Sequence, residues 1–159
     1  MKYTVFIILL IVLCLFSGCI RSSQEDGLYF VAQAVDGDTV RLSNGARLRY
    51  IGIDTPETRE KISGQWIWNP QAYGVEARDF NKNMVEGKKV RLEFDIEKKD
   101  KYGRWLAYVF VEDVFVNEML LEKGLARVFT HRPNVKYLNR YIKAENRAKK
   151  ENLGIWSPE

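Results

Sequence analysis

Beyond its first twenty residues the sequence contains no cysteine, because Cys14 and Cys19 both lie near the start of the chain. The rest of the chain therefore cannot form a disulfide or a cysteine-ligated zinc site. It has a single histidine, His131, which excludes a metal site built from several histidines. A Ser-His-Asp triad stays open, but no nucleophile motif accompanies this histidine. The remaining chemistry is that of carboxylates, arginines and a metal ion bound by oxygen ligands.

Length and charge set only broad limits on the fold and the partners. The chain has 159 residues, 46% of them hydrophobic, which is enough for one domain with one core. Its formal net charge is +4, which cleavage before Cys19 would lower by the one charge of Lys2. A small positive excess tolerates a polyanionic partner but does not identify one.

The first twenty residues have the order of an export signal. Lys2 is followed by an apolar run over residues 3–16 and then by Ser-Gly-Cys. The sequence FSGC resembles a lipoprotein processing box in which Cys19 becomes the lipidated first residue, although leucine is commoner where Phe16 stands. The apolar run is also almost long enough to remain as an uncleaved anchor. We therefore expect an export segment (1–19), a polar linker (20–27) and a folded domain (28–159), tethered on the extracytoplasmic side of the cell envelope.

Four carboxylates and an arginine are concentrated in one short stretch, the sequence VDGDTVRLSNGARLRYIGIDTPE. Asn44-Gly45 separates two alternating runs and readily takes the positive φ values of a tight hairpin turn. Such a hairpin brings the DGDT and DTPE segments together. Converging carboxylates repel one another unless a cation lies between them. The stretch therefore predicts a metal site formed by Asp36, Asp38, Asp54 and Glu57, with Arg49 nearby.

The residue types suggest a role for each acid. Asp38 and Asp54 are the best direct ligands of a hard divalent cation, with the backbone carbonyl of Thr55 as a third. An incomplete set of ligands leaves room for water and for a substrate oxygen. Glu57, if it stays off the metal, could accept a proton from an attacking water.

Two arginines suit a phosphate group, because each guanidinium can bind two oxygens at once. These are Arg49 and Arg104, although a solvated strand end is an ordinary alternative for Arg104. Arg49 and Asp54 are five residues apart, which on an unbroken strand places them on opposite faces. A bend or bulge near Gly52 would bring them to the same side.

The rest of the pattern predicts a small α+β domain around a curled five-stranded sheet. The residues from Thr58 to Gln71 form an irregular segment that contains Trp66 and Trp68. We expect this segment to fold onto the core as a cap, with a base-stacking platform as the alternative. Strands are expected over 28–35, 39–42, 47–53, 90–96, 104–111 and 126–129, and helices at 73–87, 116–124 and 138–153.

Four motifs occur in order: DGDT, an arginine five residues before DTPE, DKYGR, and a terminal basic helix followed by IW. Over about residues 28–157 they resemble the staphylococcal nuclease (thermonuclease) family. The resemblance implies a five-stranded OB-fold β-barrel with three α-helices. It also implies a monomeric, Ca²⁺-dependent phosphodiesterase that cleaves DNA and RNA to 3′-phosphorylated products. It implies that Asp38, Asp54 and the Thr55 carbonyl bind the metal, that Asp36 acts through water, and that Glu57 is the general base. It also implies that Arg49 and Arg104 bind the phosphate and that Lys101 and Tyr102 contact the nucleotide.

The chain also departs from the family. The segment after Thr58 is longer, and Thr130 and Arg132 stand where the family has tyrosines that meet the nucleotide base. Two other functions stay open: a non-catalytic OB-type nucleic-acid-binding module, or a membrane-tethered docking lipoprotein that binds a partner through Trp66 and Trp68. The intact acids argue against the first, because a pure binder has no use for like charges beside a polyanion. Calcium rather than magnesium rests on the resemblance alone, since oxygen ligands serve both ions.

Overall fold

The structure is a computed structural model, and it describes residues 26–158. The expectations for the export segment, for Cys19 and for most of the linker lie outside these residues. Among the helices of residues 26–158, none has both the length and the apolar character that a bilayer crossing requires.

The described residues form strands and three helices, and apart from a hairpin after Thr58 and a two-residue strand at 114–115 their order follows the sequence pattern. Between the strands lie tight turns, several of which use a residue with positive φ. In chain order the elements are β1 (Gly27–Ala34), β2 (Thr39–Leu42), β3 (Arg47–Tyr50), β4 (Ile53–Asp54), β5 (Arg59–Ile62), β6 (Gln65–Trp68), α1 (Gly74–Val85), β7 (Lys89–Lys99), β8 (Trp105–Val111), β9 (Val114–Phe115), α2 (Val116–Glu122), β10 (Arg127–Val128), α3 (Leu138–Lys150) and a 3₁₀ turn (Gly154–Trp156).

Five of the strands close into a barrel. Antiparallel neighbours run in the order β3-β2-β1-β7-β8, and a parallel pairing of β3 with β8 closes the ring. In that pairing Leu48 lies opposite Trp105 and Arg49 lies opposite Leu106. The α+β class and the five-stranded OB-fold β-barrel with three α-helices are therefore confirmed.

Alternation along the barrel strands fills the core, because every second side chain points inward. In β7, for example, Val90 and Leu92 are buried while Arg91 is exposed. Helix α3 adds Tyr141, whose hydroxyl donates to the backbone carbonyl of Ile51 at 3.1 Å. The closed sheet and its core are built wholly from residues 26–158, so this stretch can fold on its own.

Two predictions about the connecting segments are wrong. The segment after Thr58 is not an irregular cap, because β5 and β6 pair as an antiparallel hairpin whose Trp66 and Trp68 side chains are exposed. A Ser63-Gly64 turn, with positive φ at both residues, joins the two strands. The strand expected over 126–129 has only two residues, and it pairs with β4 instead of joining the barrel.

Candidate active site

A sharp turn between β3 and β4 sets the geometry of the site. Gly52 has a φ of +81°, and a Cβ atom at this residue would lie 2.6 Å from a ring carbon of Tyr141. A residue with a side chain would be strained by this φ and would collide with the ring. The chain therefore bends at Gly52, and Arg49 and Asp54 reach the same side of the barrel. The bend expected near Gly52 is confirmed.

The guanidinium of Arg49 joins the two acidic turns. Its Nη1 donates to Oδ1 of Asp38, and its Nη2 donates to Oδ1 of Asp54 at 2.5 Å. The Asp38 side chain is fully buried, whereas that of Asp54 is 48% exposed. Both carboxylates thus point at one positive group, as the hairpin argument predicts.

Asp38 is the most deeply buried acid of the site. Its Oδ2 accepts the backbone N–H of Thr55 at 3.0 Å, and its Oδ1 accepts the hydroxyl of Thr39 at 3.2 Å. Burial raises the pKa of Asp38 to about 8; the nearby Asp36 carboxylate adds to this rise, while Arg49 and the Thr55 N–H oppose it. The charge of Asp38 is therefore only partly balanced by the groups that contact it.

A buried asparagine from α1 holds the first acidic turn in place. The Asn81 side chain donates to the backbone carbonyl of Asp36 at 2.8 Å and accepts the hydroxyl of Tyr50 at 2.8 Å. Burial raises the pKa of Tyr50, so the phenol stays a hydrogen-bond donor. The sequence pattern missed Asn81, although its place on the buried face of α1, four residues after Ala77, was a signal.

Glu57 lies at the rim of the same site. Its backbone N–H donates to Oε1 of Gln71 at 3.0 Å, and its carbonyl accepts the N–H of Gln71 at 2.9 Å. Partial burial raises the pKa of the Glu57 carboxyl above its usual value. A raised pKa suits a group that must accept a proton near neutral pH. The charges that act on this carboxyl are those of Asp36, Arg49, Asp54 and Arg104.

The second arginine is held by its own turn. Nε of Arg104 donates to Oδ2 of Asp100 at 2.7 Å, while Oδ1 of Asp100 accepts the backbone N–H groups of Tyr102 at 2.9 Å and Arg104 at 3.0 Å. Burial alone would raise the pKa of Asp100, but these hydrogen bonds hold it below its usual value. The guanidinium of Arg104 also lies 5.7 Å from the ring centroid of Tyr102. The DKYGR turn is thus a rigid support for Arg104.

Arg49 and Arg104 line one cavity of about 480 Å³. Phe129 and His131 lie on its wall with their rings edge to face, 4.7 Å between centroids. The two aromatic side chains therefore stand at 129 and 131, whereas the sequence comparison placed Thr130 and Arg132 at the base-contacting positions. The assignment of Thr130 and Arg132 to the base-contacting positions stays a prediction, and neither residue is among those that line this cavity. The cavity wall also includes Lys101, Tyr102 and Asn134.

The donor set fits a hard divalent cation. Within residues 26–158, no group of three His, Cys, Asp or Glu side chains is arranged as a metal cluster. Two carboxylates nevertheless converge on one positive group, and one of them is buried with its charge only partly balanced. Every candidate donor is a carboxylate or carbonyl oxygen, the type that Ca²⁺ and Mg²⁺ prefer. The metal roles of Asp38, Asp54, Thr55 and Asp36 stay predictions.

Comparison with known proteins points to one family. Residues 47–158 match the model of a family described as staphylococcal nuclease homologue. A thermonuclease of Staphylococcus hyicus is 42% identical over 139 residues, which cover 86% of this chain and 79% of that protein. Endonuclease YncB of Bacillus subtilis is 44% identical over 79% of this chain, which spans 59% of that protein. The SPbeta prophage-derived endonuclease YokF of the same organism is 46% identical over 79% of this chain, which spans 42% of that protein.

Proposed function

The chain belongs to the staphylococcal nuclease family, and we propose that it is a calcium-dependent nuclease that hydrolyses DNA and RNA to 3′-phosphorylated products. One observation carries the proposal: Asp38 and Asp54 meet at the guanidinium of Arg49, on the wall of a cavity that Arg104 also lines. Acids and arginines that meet in this way suit a phosphodiester held beside a cation.

In this mechanism Asp38, Asp54 and the Thr55 carbonyl would hold the Ca²⁺ ion, with Asp36 acting through water. The bound ion would supply positive charge to balance the developing charge on the phosphate. Glu57 takes the proton of the attacking water, which its raised pKa favours. Arg49 and Arg104 bind phosphate oxygens, and Asp100 fixes the direction of the second guanidinium. Lys101 and Tyr102, on the same cavity wall, contact the nucleotide.

The test is cleavage of single-stranded DNA by residues 24–159, which retain the whole described barrel. We expect cleavage in Ca²⁺ that EGTA abolishes, and a second series with Mg²⁺ defines the choice of metal. Replacing Glu57 with Gln should lower kcat by about 10²- to 10⁴-fold, because it removes the proton acceptor. Glu60→Gln makes the same charge change three residues away and should cleave like the wild type.

Two outcomes would contradict the proposal. If correctly folded wild-type protein failed to cleave the DNA with any divalent metal ion, the proposed enzymatic activity would be refuted. Full cleavage activity of the Glu57→Gln variant would remove Glu57 from the mechanism as the proton acceptor.

We further propose that the protein is a monomer anchored by a lipid on Cys19, on the extracytoplasmic side of the cell envelope. The support is the order of charge, apolar run and FSGC at the start of the sequence. Labelled palmitate should enter the wild-type protein and not a Cys19→Ser variant. Equal labelling of the two would contradict lipidation at this residue.

A further inference from the structure

The β5–β6 hairpin begins at Arg59, two residues after Glu57. Its ladder begins beside Glu57 and Gln71, whose main-chain groups bond at 2.9 Å, and continues through the N–H of Asn69 and the carbonyl of Thr58 at 3.3 Å. Main-chain hydrogen bonds therefore connect the base of the hairpin to the residue proposed as the general base.

The register of the hairpin sorts its side chains onto two faces, because directly opposed residues of an antiparallel pair share a face. Arg59 lies opposite Trp68, and Lys61 lies opposite Trp66. One side thus presents two indole rings, each beside a cation, and we call these four residues the tryptophan face. The other side contains the pairs Glu60–Ile67 and Ile62–Gln65.

The tryptophan face is open to solvent. Trp66 is 67% exposed and Trp68 is 51% exposed, although large aromatic side chains are usually mostly buried. The guanidinium of Arg78, in α1, lies 4.9 Å from the ring of Trp68 and so ties the hairpin to the helix. This contact adds a third cation beside the two rings.

We propose that the tryptophan face binds single-stranded nucleic acid outside the cleaved nucleotide, a role that rests on the proposed function for its substrate class. Trp66 and Trp68 stack on unpaired bases, and Arg59 and Lys61 contact the neighbouring phosphates. Interleaved rings and cations are the combination that binds single strands without sequence preference. In a duplex the flat faces of the bases are covered by their neighbours, so this surface favours single strands.

The test measures binding without turnover. A fluorescein-labelled single strand of about 16 nucleotides, a length typical of such sites, is titrated with residues 24–159 in EDTA, and anisotropy gives Kd. Replacing Trp66 with Ala should raise Kd by about five- to tenfold, the lower part of the range for loss of one base stack. Trp66→Phe keeps a ring and should restore most of the affinity.

Ile67→Ala is the matched control. It removes a large exposed side chain from the same strand but from the opposite face, and it should bind the single strand as the wild type does. Lys61→Ala should make the slope of the logarithm of the association constant against the logarithm of the salt concentration less negative, by about the amount that one phosphate contact contributes. Circular dichroism of each variant establishes that the barrel is folded.

Three outcomes would overturn the inference. One is equal Kd for the wild type and for Trp66→Ala, and the second is an equal loss for Ile67→Ala. In the third, Trp66→Ala lowers binding to vesicles of phosphatidylcholine and phosphatidylglycerol while oligonucleotide binding is unchanged, which would assign the face to a membrane surface. Because the assay requires no cleavage, an inactive wild type would refute the proposed function and leave this measurement valid.

Discussion

Arg49 contacts two carboxylates that come from different turns of the chain, yet it does not make the burial of Asp38 favourable. Asp38 is fully enclosed, and burial is the largest influence on its carboxyl, ahead of the attraction of Arg49. Removing a carboxylate from water costs several kcal/mol, and one partner rarely recovers all of it. Burial of the Asp38 carboxyl therefore lowers the stability of the fold, and the acid is kept because the site requires it.

Replacing Asp38 with Asn should make the protein more stable and inactive. The amide oxygen can still accept the Thr55 N–H, and Arg49 still has Asp54. We expect the free energy of unfolding in EDTA to rise by about 1–3 kcal/mol, since Asn removes the acid whose ionised form burial disfavours and keeps its main hydrogen bond. Urea unfolding at neutral pH measures the change, and a DNA cleavage assay measures the loss of activity.

Asp54→Asn is the control for this prediction. The Asp54 side chain is about half exposed, so loss of its charge should change the free energy of unfolding by less than about 1 kcal/mol. If the Asp38→Asn variant were less stable than the wild type, this would show that Arg49 fully balances the buried charge of Asp38.

At the residue scale the sequence identified the groups with distinctive chemistry. The acids and Arg49 stand out because carboxylates and a guanidinium group in one short segment have few structural uses, and Arg104 stands out through the DKYGR motif. Asn81 was missed, because a single asparagine in a helix is usually a surface residue. Phe129 was missed because only the course of the backbone shows which side of an irregular segment faces the cavity.

At the element scale, the turn between β3 and β4 determines whether Arg49 and Asp54 can meet. Gly52→Ala should destabilise the fold by about 2–4 kcal/mol, because positive φ and a clash with Tyr141 act together. Activity should fall as well, since relief of the clash moves the two side chains apart. Thermal unfolding and cleavage rates measure both effects.

Gly45→Ala is the matched variant for this prediction. Gly45 has a similar φ of +84°, but nothing lies within 4 Å of the added Cβ. Only the backbone strain remains, about 1 kcal/mol. If the two variants lose the same stability, the contact with Tyr141 has no energetic role.

The turn between β7 and β8 supports Arg104 through Asp100, and this support depends on pH. The pKa of Asp100 is lower in the folded protein than its ordinary value. Its carboxylate therefore contributes stability above about pH 4, and this contribution is lost as pH falls through the lower folded pKa. Asp100→Asn should flatten the loss of stability below about pH 4, and it should lower kcat because Arg104 loses its partner.

Asp113→Asn makes the same charge change at an exposed position in the turn between β8 and β9. It should keep the acid profile and the kcat of the wild type. Parallel acid unfolding curves for the Asp100 variant and the wild type would contradict a structural role for this carboxylate.

The β5–β6 hairpin shows why one element could not be predicted correctly. Its Ser-Gly turn and its alternating strands were signals for a hairpin. The two tryptophans outweighed them, because large apolar side chains are expected to be buried and therefore suggest a cap. If the exposed indole rings bind bases, that function explains why the two tryptophans are not buried.

At the scale of the whole molecule, the closed barrel was expected only through the family resemblance. Local alternation predicts individual strands, as it does for β7, but it contains no signal for a parallel pairing between strands far apart in the chain. The β3–β8 pairing joins residues 48–50 to residues 105–107. Such contacts are determined by global packing.

The C-terminal segment holds the helices together across the molecule. The N–H of Ile155 donates to the carbonyl of Gly124 at 2.9 Å, and the hydroxyls of Ser157 and Tyr73 bond at 2.6 Å. Removing residues 152–159 should lower the free energy of unfolding by about 2–4 kcal/mol, since several partly buried hydrogen bonds and the packing of Trp156 are lost. Urea unfolding measures the change.

Ser157→Ala is the milder comparison, because it removes one hydroxyl and leaves the segment in place. It should cost about 1 kcal/mol. A truncated protein as stable as the wild type would show that the helices pack without this segment.

The parallel pairing of β3 with β8 also governs when the chain can act. Arg49 and Arg104 reach a common cavity only after strands from the two halves of the polypeptide have joined. A nascent or unfolded chain has every reactive side chain but no cleft, so it is inert towards the nucleic acids of the cell that makes it. Latency of this kind needs no inhibitor, since hydrolysis begins only with completed folding.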